Sequence, residues 1–462
     1  MAGIASSAKL RDAASFHLPA NEANALEVDS RWWSAFGDPQ LDRLIDTAIA
    51  GNPNLQVAQA RLVRAQSAFD SADSASKPTL GGQLDMTRQR FSENYIYPSP
   101  LGGSVQNLGT LQLNGNWEID FFGKHRSALD AAIGNVNAAA ADAQASRLLL
   151  ASNVARGYLQ WARLNAQLAV AERTLAQRDE TLRLVRDRVS AGLDTRLELN
   201  QSEGGLPEAR QQIELLKEQI ALSQHALDAL VGEPEATNAL TPPSLTAVKA
   251  IALQAVIPAD LLGRRADIVA ARWRVEAATQ DVANARTQFY PNINLVAFAG
   301  VQSIGFDNLV KGSSGQWGIG PAIRLPIFEG GRLRANLRGK AADQDAAIET
   351  YNATVLDAVR DVADNVSSAQ SIARQQQEQG AAQRSAEAAY DIAVQRYRAG
   401  LGNYLNVLTA ETTVLAQRRQ AVDLAARALD AQVGLARALG GGWKPEPGMA
   451  LSAAPRMEGT LK

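Results

Sequence analysis

Arg188-Val-Ser-Ala-Gly-Leu-Asp-Thr-Arg-Leu-Glu-Leu199 returns late in the chain as Arg396-Tyr-Arg-Ala-Gly-Leu-Gly-Asn-Tyr-Leu-Asn-Val407. The match carries on through Glu203 against Glu411 and Gly232 against Gly440. Upstream, residues 54–78 align without gaps on 267–291, with Ala58, Arg61, Ala65, Ala72 and Pro78 facing Ala271, Arg274, Ala278, Ala285 and Pro291. Two ungapped blocks, in the same order and at nearly the same offset, mark an internal duplication. The chain therefore reads as an N-terminal segment (1–50), a first repeat (51–245), a second repeat (246–440) and a tail (441–462).

Each repeat has the same local grammar. A helix is predicted over 52–77 and again over 264–289, each closed by a proline, Pro78 or Pro291, which cannot continue a helix and restricts the residue before it. Two strands follow. In the first repeat Leu111, Leu113, Gly115, Trp117, Ile119 and Phe121 alternate with polar residues. In the second, Ile319, Ile323, Leu325 and Ile327 stand at alternate positions. This predicts strands over 108–122 and 316–328, with weaker partners over 79–90 and 292–302. Segments of about ten alternating residues with aromatic ends suit a lipid-facing barrel strand. The same alternation fits a half-buried strand of a soluble protein.

Beyond the strands, residues 124–206 and 329–444 contain no proline. Leu164, Leu168, Ala171, Leu175, Leu182, Val185 and Val189 step by three, four or seven, and Val355, Val359, Val362, Val366, Ala369 and Ala373 by four and three. Both are coiled-coil seams. A helix from residue 124 to 190 would be about 100 Å long at about 1.5 Å per residue. Ala191-Gly192-Leu193 and Ala399-Gly400-Leu401 break the two long helices, because glycine accepts left-handed geometry that ends a helix. The result is a helical hairpin per repeat, 124–232 and 330–439, with these blocks at the tips. Gly204, Gly205 and Pro207 predict a kink or short break in the first return helix.

The composition excludes several classes of protein. The formal net charge is −2 and charged residues make up 20% of the 462, so there is no basic footprint for nucleic acid. The chain contains no cysteine, and so no disulfide, thiol nucleophile or Cys-ligated metal. His17, His125 and His225 lack metal-ligand spacing. No phosphate loop or Ser-centred elbow is present. The reading is of a non-enzyme without cofactor or metal. No stretch is long and apolar enough for a membrane-spanning helix. Four strands cannot close a barrel, and open edges do not occur in lipid. If the strands insert, several copies must pool them, and three copies give twelve, within the bacterial range. A soluble coiled-coil structural or adaptor protein would share the hairpins without needing the paired strands.

Three stretches carry a specific resemblance. Trp32-Trp33-Ser-Ala-Phe36-Gly-Asp38-Pro39-Gln-Leu41-Asp-Arg-Leu44-Ile45, Ile257-Pro258-Ala-Asp-Leu261-Leu262-Gly-Arg264-Arg265-Ala266-Asp267-Ile268 and Tyr397-Arg-Ala-Gly400-Leu401-Gly-Asn403-Tyr404-Leu405 resemble the TolC/OprM outer-membrane efflux family, in particular its lipoprotein branch. The resemblance covers about residues 30–450. It implies a mixed α and β membrane protein: a homotrimer with a 12-stranded transmembrane β-barrel, four strands per chain. That barrel would be continuous with a long periplasmic α-helical barrel, with an equatorial belt built from residues near 1–50, 233–263 and the C-terminal stretch. It implies the outer membrane as location and outer-membrane lipid as surroundings. It also implies a passive exit duct for drugs and other small molecules, docked to a periplasmic adaptor and an inner-membrane RND-type transporter. A type I protein-secretion duct is the alternative within the same class.

The resemblance also assigns roles to residues. Ala191, Gly192, Leu193, Ala399, Gly400 and Leu401 match the adaptor-contacting tips. Leu405 matches an apolar ring at the narrowest point and Glu198 an acidic gate position, whose counterpart here is Asn406. Thr409 stands where relatives often place aspartate, and Tyr404 lies beside the ring. Asp194 and Arg196 are close enough in sequence to join a charged gate network. The lipoprotein branch begins its mature chain with an acylated cysteine. Met1 stands at that position, so the native form is expected to be palmitoylated and lipid-anchored. Ala266 replaces the usual proline of the second motif, a mild loss because alanine suits a helix start.

Overall fold

The computed structural model describes residues 8–10, 29–248 and 265–444. It divides into two units. The first comprises Met1–Leu10, Arg61–Ala139 and Ala270–Tyr351, and the second comprises Arg11–Ala60, Ala140–Val269 and Asn352–Lys462. In chain order the helices are α1 (Pro39–Gly51), α2 (Pro53–Ala75), α3 (Lys124–Ser190), α4 (Arg196–Val231), α5 (Ala266–Thr287), α6 (Arg332–Arg398) and α7 (Tyr404–Ala438). The strands are β1 (Thr79–Arg90), β2 (Val105–Glu118), β3 (Asn292–Ile304) and β4 (Gly315–Arg324).

In the first unit the strands form one antiparallel sheet in the order β1-β2-β3-β4. Side chains alternate across a strand, and the register gathers most of the large exposed apolar ones on one face. Leu80, Leu84 and Met86 share a face with Leu111, Leu113 and Trp117, and with Trp317, Ile319 and Ile323. All nine are exposed. The opposite face carries Gln83, Asp85, Thr110, Gln112, Asn114, Gln302 and Gln316, together with four apolar residues, Leu108, Val296, Phe298 and Ile304. Every residue of β1 is exposed, and neither β1 nor β4 has a partner on its outer side among the described residues.

Several strand ends differ from the sequence reading. β2 stops at Glu118 instead of 122. Ile119 N–H still bonds the Ile293 carbonyl at 2.9 Å, and Asp120 then turns to accept from the Arg126 N–H at 2.9 Å, capping α3. Phe121 and Phe122 therefore lie in the connection, where Phe122 stacks on Tyr290 at 4.9 Å and 11°. β4 ends at Arg324 instead of 328, because Pro326 has no N–H to give the ladder. At the other end β2 begins at Val105, three residues early, and β3 continues to Ile304.

The second unit is helical. Its largest core gathers Trp32, Trp33 and Phe36, Leu41 and Ile45 of α1, Val154, Tyr158 and Trp161 of α3, Leu227 of α4 and Val433 of α7. Asp38 caps α1 by accepting from the Gln40 N–H at 2.9 Å. Its other carboxyl oxygen accepts from the Tyr158 hydroxyl at 2.6 Å, tying α1 to α3. In the first hairpin Leu164 and Ala171 meet Ile213 and Leu216. The second seam departs from expectation at one point: Ala373 is exposed and Ile372 is buried instead. Over several turns the 3.6-residue helix drifts from a strict heptad.

The expected break in α4 is absent, since the helix runs unbroken through Gly204, Gly205 and Pro207. Arg178 of α3 donates to the Gly205 carbonyl at 2.8 Å, two residues before the proline. The expected equatorial segments at 11–28, 249–264 and 445–462 lie outside the described residues. Phe36 is fully buried in the central core. Phe36→Ala is expected to destabilise the protein by about 3–5 kcal/mol, read as a lowered midpoint of thermal or denaturant unfolding.

Candidate functional site

Both long helices end at their tips in the same way. Gly192 and Gly400 adopt φ of +73° and +74°. Gly192 N–H bonds the Val189 carbonyl at 3.0 Å and Leu193 N–H the Arg188 carbonyl at 2.9 Å. In the second repeat Gly400 bonds Tyr397 at 3.0 Å and Leu401 bonds Arg396 at 2.8 Å. These paired bonds form a Schellman motif, which needs a left-handed residue and so glycine. Ala191 and Ala399 close the preceding turns. The leucine that usually covers such a cap is here turned outward: Leu193 is 65% and Leu401 69% exposed.

The return helices start on capping residues. Thr195 accepts from Leu197 N–H at 3.1 Å, and Glu198 accepts from both the Thr195 N–H (2.9 Å) and its hydroxyl. This is a capping box. The Thr195 hydroxyl, then the backbone amides, hold the Glu198 carboxyl below its ordinary range. In the second repeat Asn403 caps α7 by accepting from Asn406 N–H at 3.1 Å. Leu197 and Leu405, at matching positions just inside these caps, are both exposed. Asn406 and Thr409 are exposed as well, the Thr409 hydroxyl donating to the Leu405 carbonyl at 2.9 Å.

Between the hairpins the structure builds a lock that the sequence did not announce. Arg188 of α3 grips Asp194 with two hydrogen bonds, 2.8 and 3.2 Å. It also donates to the Tyr397 carbonyl at 3.0 Å and lies over the Tyr397 ring, 4.6 Å from its centre. The Tyr397 hydroxyl donates to Asp194 in turn. The Arg188 hydrogen bonds, reinforced by Tyr397 and opposed by burial, hold the Asp194 carboxyl well below the usual range. Burial, and then the bond to Asp194, push the Tyr397 phenol up.

Of the residues expected in a charged gate network, Asp194 is thus engaged, but by Arg188. Arg196 is exposed and makes no ion pair among the described residues. Tyr404 is a packing residue: it is buried beside Tyr397, ring centres 6.0 Å apart, in a core shared with Val185, Val407 and Val414. The positions that sequence reasoning passed over, Arg188 and Tyr397, carry a signal in the repeat. Val189 faces Tyr397 and Asp194 faces Gly402 in the alignment. The lock forms where the repeats differ.

About three helical turns further in, Arg178 meets Glu411 at 3.1 Å and Glu208 at 2.9 Å. Glu411 is buried, and burial pushes its carboxyl up against the opposing pull of Arg178. Arg418 bridges Glu387 at 3.1 Å and Gln177 at 2.9 Å. Among the described residues no group of three or more His, Asp or Glu converges as a metal site. Met1 lies outside the described residues.

The sequence profile of the outer membrane efflux protein family matches residues 44–233 and again 257–441, one match per repeat. The fusaric acid resistance protein FusA of Burkholderia cepacia is 41% identical over 312 residues, 66% of this chain and 58% of that protein. The chain thus spans less than two thirds of FusA. The multidrug resistance outer membrane protein MdtP of Escherichia coli K12 is 34% identical over 437 residues, covering 90% of this chain and 87% of MdtP. The crystal structure of the outer membrane protein VceC of Vibrio cholerae superposes with a TM-score of 0.84 at 36% identity, covering 89% of this chain and 98% of VceC. A duplicated chain with a four-stranded sheet of one apolar and one polar face, two long helical hairpins and this match across both halves belongs to the outer membrane efflux protein family, as an outer-membrane channel of an efflux system.

Proposed function

We propose that three copies of the chain assemble into a passive exit duct. In this reading the strands close a 12-stranded β-barrel in the outer membrane and the hairpins form an α-helical barrel in the periplasm. Segments 1–50 and 441–462 and the link between repeats supply the belt around it. The observation that carries the reading is the sheet itself. It has unpaired outer edges on β1 and β4 and an apolar face open from Leu80 to Ile323. In lipid every backbone group must be paired, and β4 of one copy against β1 of the next supplies the missing partners. The duct is proposed to work with a periplasmic adaptor and an RND-type inner-membrane transporter. It passes drugs and other small molecules without catalysing any reaction on them. The resistance named for FusA and MdtP supports drugs as cargo.

The tips are proposed as both gate and docking site. Leu193 and Leu401, held outward by rigid caps, offer apolar contacts to the adaptor along with Ala191, Gly192, Ala399 and Gly400. Leu405, Glu198, Asn406 and Thr409 are proposed to line the closed entrance, which three apolar Leu405 side chains would seal by dewetting. The Arg188–Asp194–Tyr397 lock would hold it shut.

The purified full-length protein is expected to run as a trimer by mass measurement in detergent and to conduct ions in planar bilayers; a stable monomer in plain buffer would end the proposal. Leu193→Asp with Leu401→Asp should abolish cross-linking to the adaptor and restore drug susceptibility while the trimer persists; unchanged cross-linking would remove the tips from the docking site. Tyr397→Phe should weaken the lock by about 1.5 kcal/mol. That is roughly tenfold faster hydrogen exchange at the Ala399–Leu401 amides, with raised channel conductance. Because the Asp194 pKa is lowered by folding, its stabilisation is full above the unfolded value of about 3.9 and is lost as pH falls through the lower folded value. Once corrected for intrinsic rates, exchange at the tip should therefore be flat from pH 7 to 5 and rise only in stronger acid.

A further inference from the structure

The polar face of the sheet is organised around one carboxylate. Gln316 of β4 donates to Gln112 of β2 at 3.3 Å, Gln112 to Asn114 at 2.9 Å, Asn114 to Gln83 of β1 at 3.1 Å, and Gln83 to Asp85 at 2.6 Å. Every link runs the same way, so the donor ends of four successive amides point toward the Asp85 carboxylate. Aligned hydrogen bonds polarise one another, and the last one is charge-assisted. Gly300 makes the path possible. It stands between Gln112 and Gln316 in the register, and a Cβ there would come within 2.6 Å of the Gln112 Cβ. The bare strand lets Gln112 cross β3.

Asp85 is the seventh residue of the twelve in β1. The charged strand residues are Asp85, Arg88, Arg90, Glu118 and Arg324. Arg88 and Arg90 fall on the apolar face. Glu118 and Arg324 end their strands, and Glu118 is tied to Lys124 at 2.8 Å. Along the middle of the polar face, Asp85 is therefore the one charge among the described strand residues, and the ladder fixes its position without a cation beside it.

We propose that Asp85 is a specificity-determining residue of the duct: it makes the membrane-spanning passage favour cationic solutes over anionic ones. The inference rests on the reading of the sheet as one third of a closed barrel, which makes the polar face the lumen and sets three Asp85 carboxylates around it. A lumen lined by one sign of charge within low-dielectric walls concentrates counter-charged solutes, and salt screens the effect.

The chain has no cysteine, so a single introduced thiol is a unique reporter. Thr87→Cys lies on the face of Asp85 and Leu84→Cys on the opposite face. In proteoliposomes of the full-length protein, each is reacted with a cationic trimethylammonium and an anionic sulfonate methanethiosulfonate reagent. Thr87→Cys should favour the cationic reagent about tenfold over the ratio for a free thiol. Adding Asp85→Asn, which keeps the accepting oxygen, should cut that preference about three- to fivefold, as should molar salt. Leu84→Cys should stay unreactive. If Thr87→Cys labels but its preference is the same with Asp85→Asn, the ladder is only structural and the proposal is overturned. If Leu84→Cys labels as fast as Thr87→Cys, or faster, the barrel reading fails and takes this inference with it.

Discussion

A strand in lipid has no water to satisfy its N–H and C=O groups, and a four-stranded sheet leaves two edges with nothing to pair. That constraint governs the rest of the molecule. In the proposed barrel a sheet with outward Leu84, Leu113 and Ile319 is native because those residues face hydrocarbon and not water. The same reading accounts for the bias of the sheet, with most of its leucines and its tryptophans on one face and an amide network on the other. The aromatic residues Phe121, Phe122, Tyr290 and Phe328 gather where the strands give way to helices.

The helical hairpins solve a different problem. A 67-residue helix has no globular core to wrap, so its neighbours must be chosen by a narrow stripe. The stripe of small and branched residues is weakly specific about register, since sliding by one heptad keeps apolar against apolar. The buried charges remove that freedom. Arg178 with Glu411 and Arg418 with Glu387 each leave an unpaired buried charge if the helices slip, and that cost is several kcal/mol. Hydrophobic contact draws the helices together, and the ion pairs fix the turn at which they stop.

Duplication and divergence divide the labour at the tips. The shared elements, a glycine cap, an outward leucine and a capping residue at Thr195 or Asn403, are structural and recur in both repeats. The unshared ones, Asp194 against Gly402 and Tyr397 against Val189, meet in a single contact.

Local chemistry was legible in the residues alone. Pro78 and Pro291 bounded the helices, alternation found two strands and set their weaker partners beside them, Gly192 and Gly400 located the tips, and the repeat gave the order of elements. These are signals within a few residues of one another. What the sequence could not show was which distant groups meet. Pro326 and the Asp120 cap shortened two strands over a few residues, α4 ran through Pro207, and Ile372 displaced Ala373 on the seam. Tyr404 went into the core, and Asp194 found Arg188 instead of Arg196. The seam was decided by the drift of a helix over many turns, and the tip contact by Tyr397, 203 residues from Asp194. Propensity and periodicity are properties of a short window, whereas a hydrogen bond or a buried contact is a property of two places that only the folded chain brings together.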